Sequence, residues 1–441
     1  MKASTELRET ILNNLRSRES AILALGERLR AKPETGFSEN GTALILAEAL
    51  QALGLEPETG LAITGLCASV GPKDAPEIIL LADMDSLPTA GVAGGIAHSC
   101  GHHAQMTVMF AAFSALVECR APDREGFRLT FLTAPAEEYV ELDRKKELRA
   151  AGSIRYLSGK QELLWLGAFD RAVAVIKYHS MSDEPGRHAV VNGSLNGFMA
   201  KKAVFTGKSA HAGAHPERGI NALNAATLAL QAIHAQRETF KDDDHIRVHP
   251  IMSEGGTIVN TVPERAVLET FVRGSDHQAL REAALKVDRA LAAGAIAVGA
   301  TVRIIDTPGY QSFRPSPELG AIIGKAALEF LPEKEVDFND RSSASDDIGD
   351  VACLVPTCQL AWGGFSGTIH AGDFLPTDLR RAYIEPALAI AAAAFDAGRK
   401  GAELALAAKA AFKPRFTKEA YFAALDAQFA DRSISWTPPG A

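Results

Sequence analysis

Residues 78–117 read IILLADMDSLPTAGVAGGIAHSCGHHAQMTVMFAAFSALV, and the two ends of this stretch decide the fold class. Ile78 to Ala82 (IILLA) is a short apolar run with the length and branching of a fully buried strand, and it ends in the acidic cluster Asp83-Met84-Asp85. Ala104 to Val117 (AQMTVMFAAFSALV) is apolar on nearly every side, as a helix enclosed by a domain has to be. A buried strand leading into a buried helix is the unit of an α/β layer with parallel strands.

Working outward, Phe127 to Thr133 (FRLTFLT) and Arg171 to Tyr178 (RAVAVIKY) read as further strands of that layer. Residues 4–31 and 41–54 place apolar positions three and four apart, which is helical spacing. Near residue 189 the pattern changes to strand, helix, strand, strand, helix, strand. The strands are Met199 to Thr206, His245 to Ile251, Ala266 to Val272 and Thr301 to Ile305; the helices are Gly219 to Gln236 and His277 to Ala297. After Gly309 the first style resumes with a helix at 317–330, a polar loop at 337–350, a strand at 354–360 and helices at 378–412. The expectation is an α/β chain: a three-layer catalytic domain with a mostly parallel sheet, split over 1–188 and 309–441, carrying an inserted ferredoxin-like α/β lid at 189–308.

Composition narrows the partners. At roughly 150 residues per domain, 441 residues predict two or three domains, and 47% apolar with 23% charged residues is ordinary for a folded chain. The formal charge is −8 and no basic run tracks phosphate, which argues against nucleic acid. No apolar stretch approaches the roughly 18 residues that span a bilayer. Met1 to Glu19 is polar and reads as a helix, not a signal peptide. Five cysteines, odd in number and scattered, argue against a disulfide framework and for a cytoplasmic setting with thiols available for metal or catalysis.

Chemistry-bearing residues cluster at the predicted strand ends, where open α/β sheets place their sites. In Ala97-His98-Ser99-Cys100-Gly101-His102-His103 a thiol and an imidazole two residues apart, at a helix start that lowers the thiol pKa, can point at one cation. A loop with a buried cysteine and exposed histidines would read the same way in isolation; the density of polarisable groups just after Asp83-x-Asp85 favours metal. Ala134-Pro135-Ala136-Glu137-Glu138 offers adjacent carboxylates, one to bind a metal and one to take a proton from water, although a solvated acidic turn fits the pair alone. His179 follows one strand and His370 lies beyond another. In the insert, Gly207-Lys208-Ser209-Ala210-His211-Ala212-Gly213 turns sharply, and Asn260 and Arg273 come from neighbouring strands. A histidine, an amide and a guanidinium can polarise a carbonyl and hold a carboxylate, though by spacing alone this is a glycine turn. Rival chemistries lack their signatures: there is no Gly-x-Ser-x-Gly elbow, phosphate loop or dinucleotide fingerprint.

In this order the clusters resemble the two-metal amidohydrolase and peptidase family of aminoacylases, carboxypeptidase G and indoleacetyl-amino-acid hydrolases, above all its aminobenzoyl-glutamate and N-acyl-amino-acid hydrolase branch. The motifs are Lys32-Pro33-Glu34-Thr35-Gly36-Phe37, Ala82 to Pro88, His98 to His102, Pro135 to Glu138, Gly207-x-x-x-His211, Val259-Asn260-x-Val262-Pro263, Ser345-Asp346-Asp347 and His370. The resemblance implies Cys100, His102, Glu138, His179 and His370 as ligands of one or two divalent metals, zinc, manganese or cobalt. It implies Glu137 as general base, Asp85 as the carboxylate that orients the ligands, His211 as the oxyanion donor, and Asn260 and Arg273 as substrate contacts. It further implies a homodimer or higher homo-oligomer formed through the lid, whose histidine reaches a neighbouring subunit's site.

Three departures touch specificity. His103 and Gln105 stand where the branch has an aspartate and a second histidine; the lid turn carries Lys208-Ser209-Ala210 and later Arg218; and Tyr139 to Gly167 replaces a glycine-rich continuation. The function expected is metal-dependent hydrolysis of an amide C–N bond in an N-acyl or N-aroyl amino acid or small dipeptide. A hydrolytic deaminase using the same site, and a non-catalytic binding protein on the same fold, are the alternatives.

Overall fold

The computed structural model describes residues 2–436, which divide into two compact units. The first comprises residues up to Ser194, Arg314–Arg341 and Asp350–Arg415. Its nine-stranded sheet has four parallel strands at the centre, in the order Arg128–Ala134, Glu77–Asp83, Ala172–Ser182, Thr357–Ser366. Antiparallel strands Gly65–Val70 and Glu58–Leu61 extend one edge, and Ala189–Val191 starts the other. The strand first in sequence, Glu77–Asp83, therefore has its two parallel neighbours on opposite sides, and such a switch point opens a crevice at the carboxyl ends of the strands.

The Glu77–Asp83 strand is buried along its whole length. Ile78, Leu80, Ala82 and Met84 join the main apolar core, which the helices His102–Glu118 and Glu385–Ala411 fill from one side. Ile79 and Leu81 are equally buried and, by the two-residue period of a strand, face the other way. Asp83 lies on that second face, where Lys160 of the helix Gly159–Leu166 reaches it. Helix, sheet and helix make the three layers. The helix Asn40–Ala52 starts where Glu34 accepts the N–H groups of Gly41 (3.0 Å) and Thr42 (2.8 Å), satisfying donors that a helix start leaves open.

The second unit comprises Leu195–Phe313, Ser342–Gly349 and the chain from Phe416 onward. The strand–helix–strand–strand–helix–strand order is observed. Its sheet runs Arg247–Val248, Arg265–Gly274, Gly197–Thr206, Thr301–Pro308, Ala430–Ile434, with Ile251–Glu254 also pairing to Arg265–Gly274. The helices Ala222–Ala235 and His277–Ala297 start at Asn221 and Asp276, whose side chains accept the N–H groups of Asn224 and Ala279. They pack so closely that a Cβ on Gly294 would come within 2.4 Å of the Ala225 carbonyl oxygen.

Several boundaries differ from the sequence expectation. The 4–31 helix is two helices, Lys2–Ser17 and Glu19–Arg30. The 378–412 segment opens with a π-helical turn at Arg380–Ile384 and is broken again at 399–402, where Lys400, Gly401 and Ala402 take positive φ. The 354–360 strand is Thr357–Ser366. The largest correction concerns the split at 309–441: residues 342–349 and those from 416 onward belong to the second unit, and Ala189–Val191 belongs to the large sheet. The reason is the strand Ala430–Ile434, which pairs with Thr301–Pro308 while Arg432 bridges Asp306 (2.7 Å) and Asp288. A chain ending at residue 429 exposes the Thr301–Pro308 edge. We expect its unfolding temperature to fall by about 4 °C or more, equivalent to roughly 1–2 kcal/mol, and light scattering to report association; an unchanged melt and particle size would contradict this role for the strand.

Candidate metal centre

The carboxyl ends of the four parallel strands deliver the predicted residues to one place. Glu77–Asp83 leads to Asp85, Arg128–Ala134 to Glu137 and Glu138, Ala172–Ser182 carries His179 near its end, and Thr357–Ser366 leads to His370. His179 thus lies within its strand, which runs to Ser182 where the sequence pattern ends it at Tyr178. Cys100 and His102 enter from the start of the His102–Glu118 helix. The turn between them needs glycine: Gly101 has φ +80°, and a Cβ there would lie 1.8 Å from the Ser180 Oγ. That Ser180 hydroxyl donates to the Cys100 carbonyl at 3.1 Å and fixes the turn against the neighbouring strand.

Asp85 organises the centre. Its backbone carbonyl accepts from His102 Nδ1 at 2.8 Å, its Oδ1 lies 3.3 Å from the same nitrogen, and its Oδ2 accepts the Glu138 N–H at 2.9 Å. With Nδ1 committed as donor, His102 presents Nε2 as its free lone pair, 3.7 Å from Glu137 Oε2. His179 is oriented the same way, its Nδ1 against the Ser180 carbonyl (2.7 Å) and its Nε2 3.7 Å from Cys100 Sγ. His370 has φ +73°, its N–H donates to the Ser99 carbonyl (2.8 Å), and its Nε2 lies 3.5 Å from Glu138 Oε1.

Donor atoms of Cys100, His102 and His179 lie within 4.8 Å of one another, and so do those of Cys100, Glu138 and His370. The two sets share Cys100. Zinc bonds of about 2.3 Å to sulfur and 2.0 Å to nitrogen at a tetrahedral angle put the two donors about 3.5 Å apart, close to the 3.7 Å between Cys100 and His179. His102 Nε2 and Glu138 Oε1 are buried and have no hydrogen-bond partner among the described residues. The donor set, its spacing and these two orphaned atoms all fit a divalent cation.

The electrostatics point the same way. Burial alone would lower the pKa of His102, but Asp85, then Asp83 and Glu138, outweigh it and push it up to about 9. A pocket that attracts a proton so strongly also attracts a metal ion in the proton's place. Burial alone would raise Glu138, yet His370, then His102 and Cys100, hold it below the ordinary carboxylate range.

Asp83 also falls within 4.8 Å of His102 and Glu137, but it is a different kind of residue. Lys160 pairs with its Oδ1, and Lys177 with its Oδ2 at 2.6 Å, all three side chains being fully buried. Burial would raise its pKa; the two lysines overcome that and hold it far below the usual range. Both oxygens are engaged, so it serves as a counter-ion.

The departures at 103 and 105 are absorbed by packing. Gln105 Oε1 accepts the Asp83 N–H at 3.1 Å. His103 and His98 are buried with ring centroids 5.3 Å apart; burial pushes His98 down to about 3 and His103 well below its ordinary value, so both rings are neutral. Sequence reasoning missed Lys160, Lys177, Lys145 and Glu39. The signal was strongest for Lys177, a charge inside the apolar run AVAVI–Y of a buried strand.

The second unit holds His211, Asn260 and Arg273. His211 Nδ1 accepts the N–H groups of Gly213 (3.2 Å) and Ala214 (3.1 Å), so its proton sits on Nε2. Asn260 lies beside it, its carbonyl accepting the Ala212 N–H at 3.0 Å. Arg273 donates to Ser345 Oγ at 2.6 Å and lies 5.3 and 5.5 Å from the Phe198 and Phe271 ring centroids, and burial lowers its pKa.

Residues 194–298 match the family described as the peptidase dimerisation domain. The chain is 28% identical over 301 residues to the Xaa-Arg dipeptidase of Mus musculus, covering 66% of this chain and 61% of that protein. It is also 28% identical over 266 residues to an IAA-amino acid hydrolase of Arabidopsis thaliana, covering 57% of this chain and 55% of the other. The chain is a homologue of these hydrolases. It thus spans about 55–61% of the length of these curated relatives. In structure it is similar to a Bacillus subtilis protein described as a dinuclear metal binding peptidase of the M20 family, with a TM-score of 0.65 at 18% identity, covering 86% of this chain and 98% of that one. The resemblance read from the motifs, and the α/β fold with its dimerisation domain, are borne out.

Asp83→Asn separates the counter-ion role from a ligand role. Removing one partner of a buried ion network costs about 3–5 kcal/mol, so we expect a large fall in unfolding temperature that persists in the presence of chelator. Since Asp83 has a depressed pKa when folded, its stabilisation is complete above about pH 4 and is lost as the pH falls through its folded value; the variant should show a shallower acid limb. Loss of metal with unchanged stability would instead make Asp83 a ligand.

Proposed function

We propose that this chain is a metal-dependent amidohydrolase that cleaves the C–N bond of an N-acyl or N-aroyl amino acid or a small dipeptide. The observation that carries the reading is the pair of donor sets sharing Cys100, with Glu137 Oε2 held 3.7 Å from His102 Nε2. Cys100, His102, Glu138, His179 and His370 would hold one or two divalent cations, with zinc the best match to a thiolate and three imidazoles. Bound there, such a cation lowers the pKa of water toward neutrality and polarises a carbonyl. Glu137, buried beside the ligands, takes the proton from water and returns it to the leaving nitrogen. Asp85 keeps His102 in the tautomer that presents Nε2 and holds the Glu138 backbone in place. His211, protonated on Nε2, is in the form that donates to an oxyanion, and Asn260 and Arg273 supply an amide and a cation for a substrate carboxylate. The substrate class rests on the names of the relatives, a dipeptidase and an amino acid conjugate hydrolase. The domain assignment follows the two compact units, and a cytoplasmic location rests on five cysteines without a disulfide. No helix among the described residues is long and apolar enough to cross a membrane.

The test is metal content with turnover. Elemental mass spectrometry should find one or two divalent ions per chain, falling in Cys100→Ser. Glu137→Gln should retain metal while kcat drops by at least about 100-fold. Full activity in Glu137→Gln, or ammonia released in place of an amino acid, would sink the reading.

The dimer contact we assign to the edge strand Ile251–Glu254. The opposite edge of that sheet is formed by Ala430–Ile434, whereas Ile251 (63% exposed) and Val259 (101% exposed), eight residues on in the chain, are apolar side chains left open. Ile251→Lys with Val259→Asp should convert a dimer to a monomer in light scattering; a dimer that survives both changes places the interface elsewhere.

A further inference from the structure

The helix Leu142–Ala150 reads LDRKKELRA and lies in the segment that departs from the glycine-rich continuation after Glu137-Glu138. Such a sequence belongs at a surface, yet Lys145 is only 1% exposed. Its Nζ donates to the carbonyl of Glu138 at 2.6 Å and to that of Ala136 at 3.3 Å. The neighbouring Arg144 donates to the carbonyls of Gly36 (2.7 Å) and Phe37 (3.1 Å), anchoring the helix to the loop that faces the same turn.

From the other side the turn is held by Glu39. This side chain is fully buried; its Oε1 accepts the Ala136 N–H at 2.9 Å and its Oε2 accepts the Thr64 hydroxyl at 2.6 Å. Ala136 itself has φ +53°, a left-handed conformation that an alanine keeps only when its surroundings impose it. Space for it comes from Gly36, where a Cβ would approach the Ala136 Cα to 2.7 Å. One peptide unit on each side of a strained residue is thus gripped by a buried ionisable side chain, Glu39 or Lys145, and the next two residues are Glu137 and Glu138.

We propose that Lys145 and Glu39 are positioning residues that clamp Ala136 and thereby fix the carboxylates of Glu137 and Glu138. The inference rests on the reading of those two carboxylates as base and ligand. Burying a lysine is costly, and an apolar side chain would fill the same space at less cost. What the ammonium adds is a pair of hydrogen bonds, to the Ala136 and Glu138 carbonyls on either side of Glu137.

The test uses the full chain loaded with zinc or manganese, comparing Lys145→Met, Lys145→Arg, Glu39→Ala and Glu39→Gln, with Glu137→Gln as reference. Metal affinity is read by competition with a chromophoric chelator, kcat and KM on an N-acyl amino acid, and folding by thermal unfolding. Lys145→Met should weaken metal affinity by about 10–100-fold and lower kcat with KM little changed, and Lys145→Arg should restore most of both. Glu39→Ala should behave like Lys145→Met, while Glu39→Gln, which still accepts from Ala136, should stay close to the parent. If Lys145→Met does not fold, the Glu39 pair decides the matter by the same readouts. A lower unfolding temperature with metal affinity and kcat unchanged marks a purely structural role and overturns the clamp, leaving the amidohydrolase reading intact wherever Glu137→Gln is inactive. Activity in Glu137→Gln overturns that reading instead, and metal affinity still judges the clamp.

Discussion

One carboxylate, that of Asp85, joins the parts of the centre that the chain brings from different strands. Its Oδ1 lies 3.3 Å from His102 Nδ1, which donates to the Asp85 backbone carbonyl, and its Oδ2 accepts the Glu138 N–H, so an imidazole from the helix start and the Glu138 backbone beyond the adjacent strand are held in a single arrangement. Each partner gains from it. His102 is locked in the tautomer that offers Nε2, and Glu138 is held where His370 can approach it. Asp85 can sit there because it follows a strand buried on both faces, so its position is set by the sheet and inherits the sheet's rigidity.

The same strand explains why two aspartates separated by one residue do different work. Asp83 is on the face covered by Gly159–Leu166 and neutralises Lys160 and Lys177; Asp85, beyond the strand end, is clear of them. A carboxylate set between two buried ammonium groups has its negative charge already balanced, and the cluster of Asp83, Lys160 and Lys177 offers a cation no net attraction. The negative charge available to a cation therefore comes from Glu137, Glu138 and Asp85, which lie beyond strand ends, and from Cys100 as a thiolate just before the helix start.

Much of this was legible in the sequence, for a physical reason. Apolar runs in strands buried on both faces and an all-round apolar helix are local patterns, and they gave the strand–helix alternation, the inserted sandwich and the clustering of Cys100, His102, Glu137, Glu138 and His370 at strand ends. What stayed hidden depends on partners distant in the chain. ADRSI at 430–434 carries two charges in five residues and becomes a strand only because Thr301–Pro308 offers an open edge and Asp306 and Asp288 receive Arg432. Lys145 reads as a surface residue in its local window and Lys177 stands out only as a charge in an apolar run; the fold supplies Asp83 to Lys160 and Lys177 and the Ala136 and Glu138 carbonyls to Lys145. His179 was placed one residue beyond its strand because the apolar pattern ends at Tyr178, whereas backbone pairing continues through the polar residues to Ser182.

The substitutions at 103 and 105 show how the chain keeps its metal geometry while changing the charge around it. Gln105 spends its carbonyl oxygen on the Asp83 backbone, tying the helix start to the central strand without a charge. His103, kept neutral by burial, packs with His98, Phe365 and Tyr383 and places no carboxylate beside His102. With Asp83 balanced by two lysines as well, the first turn of the helix is less anionic than a site with an acid at 103 would be. Holding a divalent cation then falls to the geometry of the remaining carboxylates, so the strained turn that carries Glu137 and Glu138 needs firm support. That turn is held by two buried ionisable side chains, Glu39 at the Ala136 N–H and Lys145 at the Ala136 carbonyl.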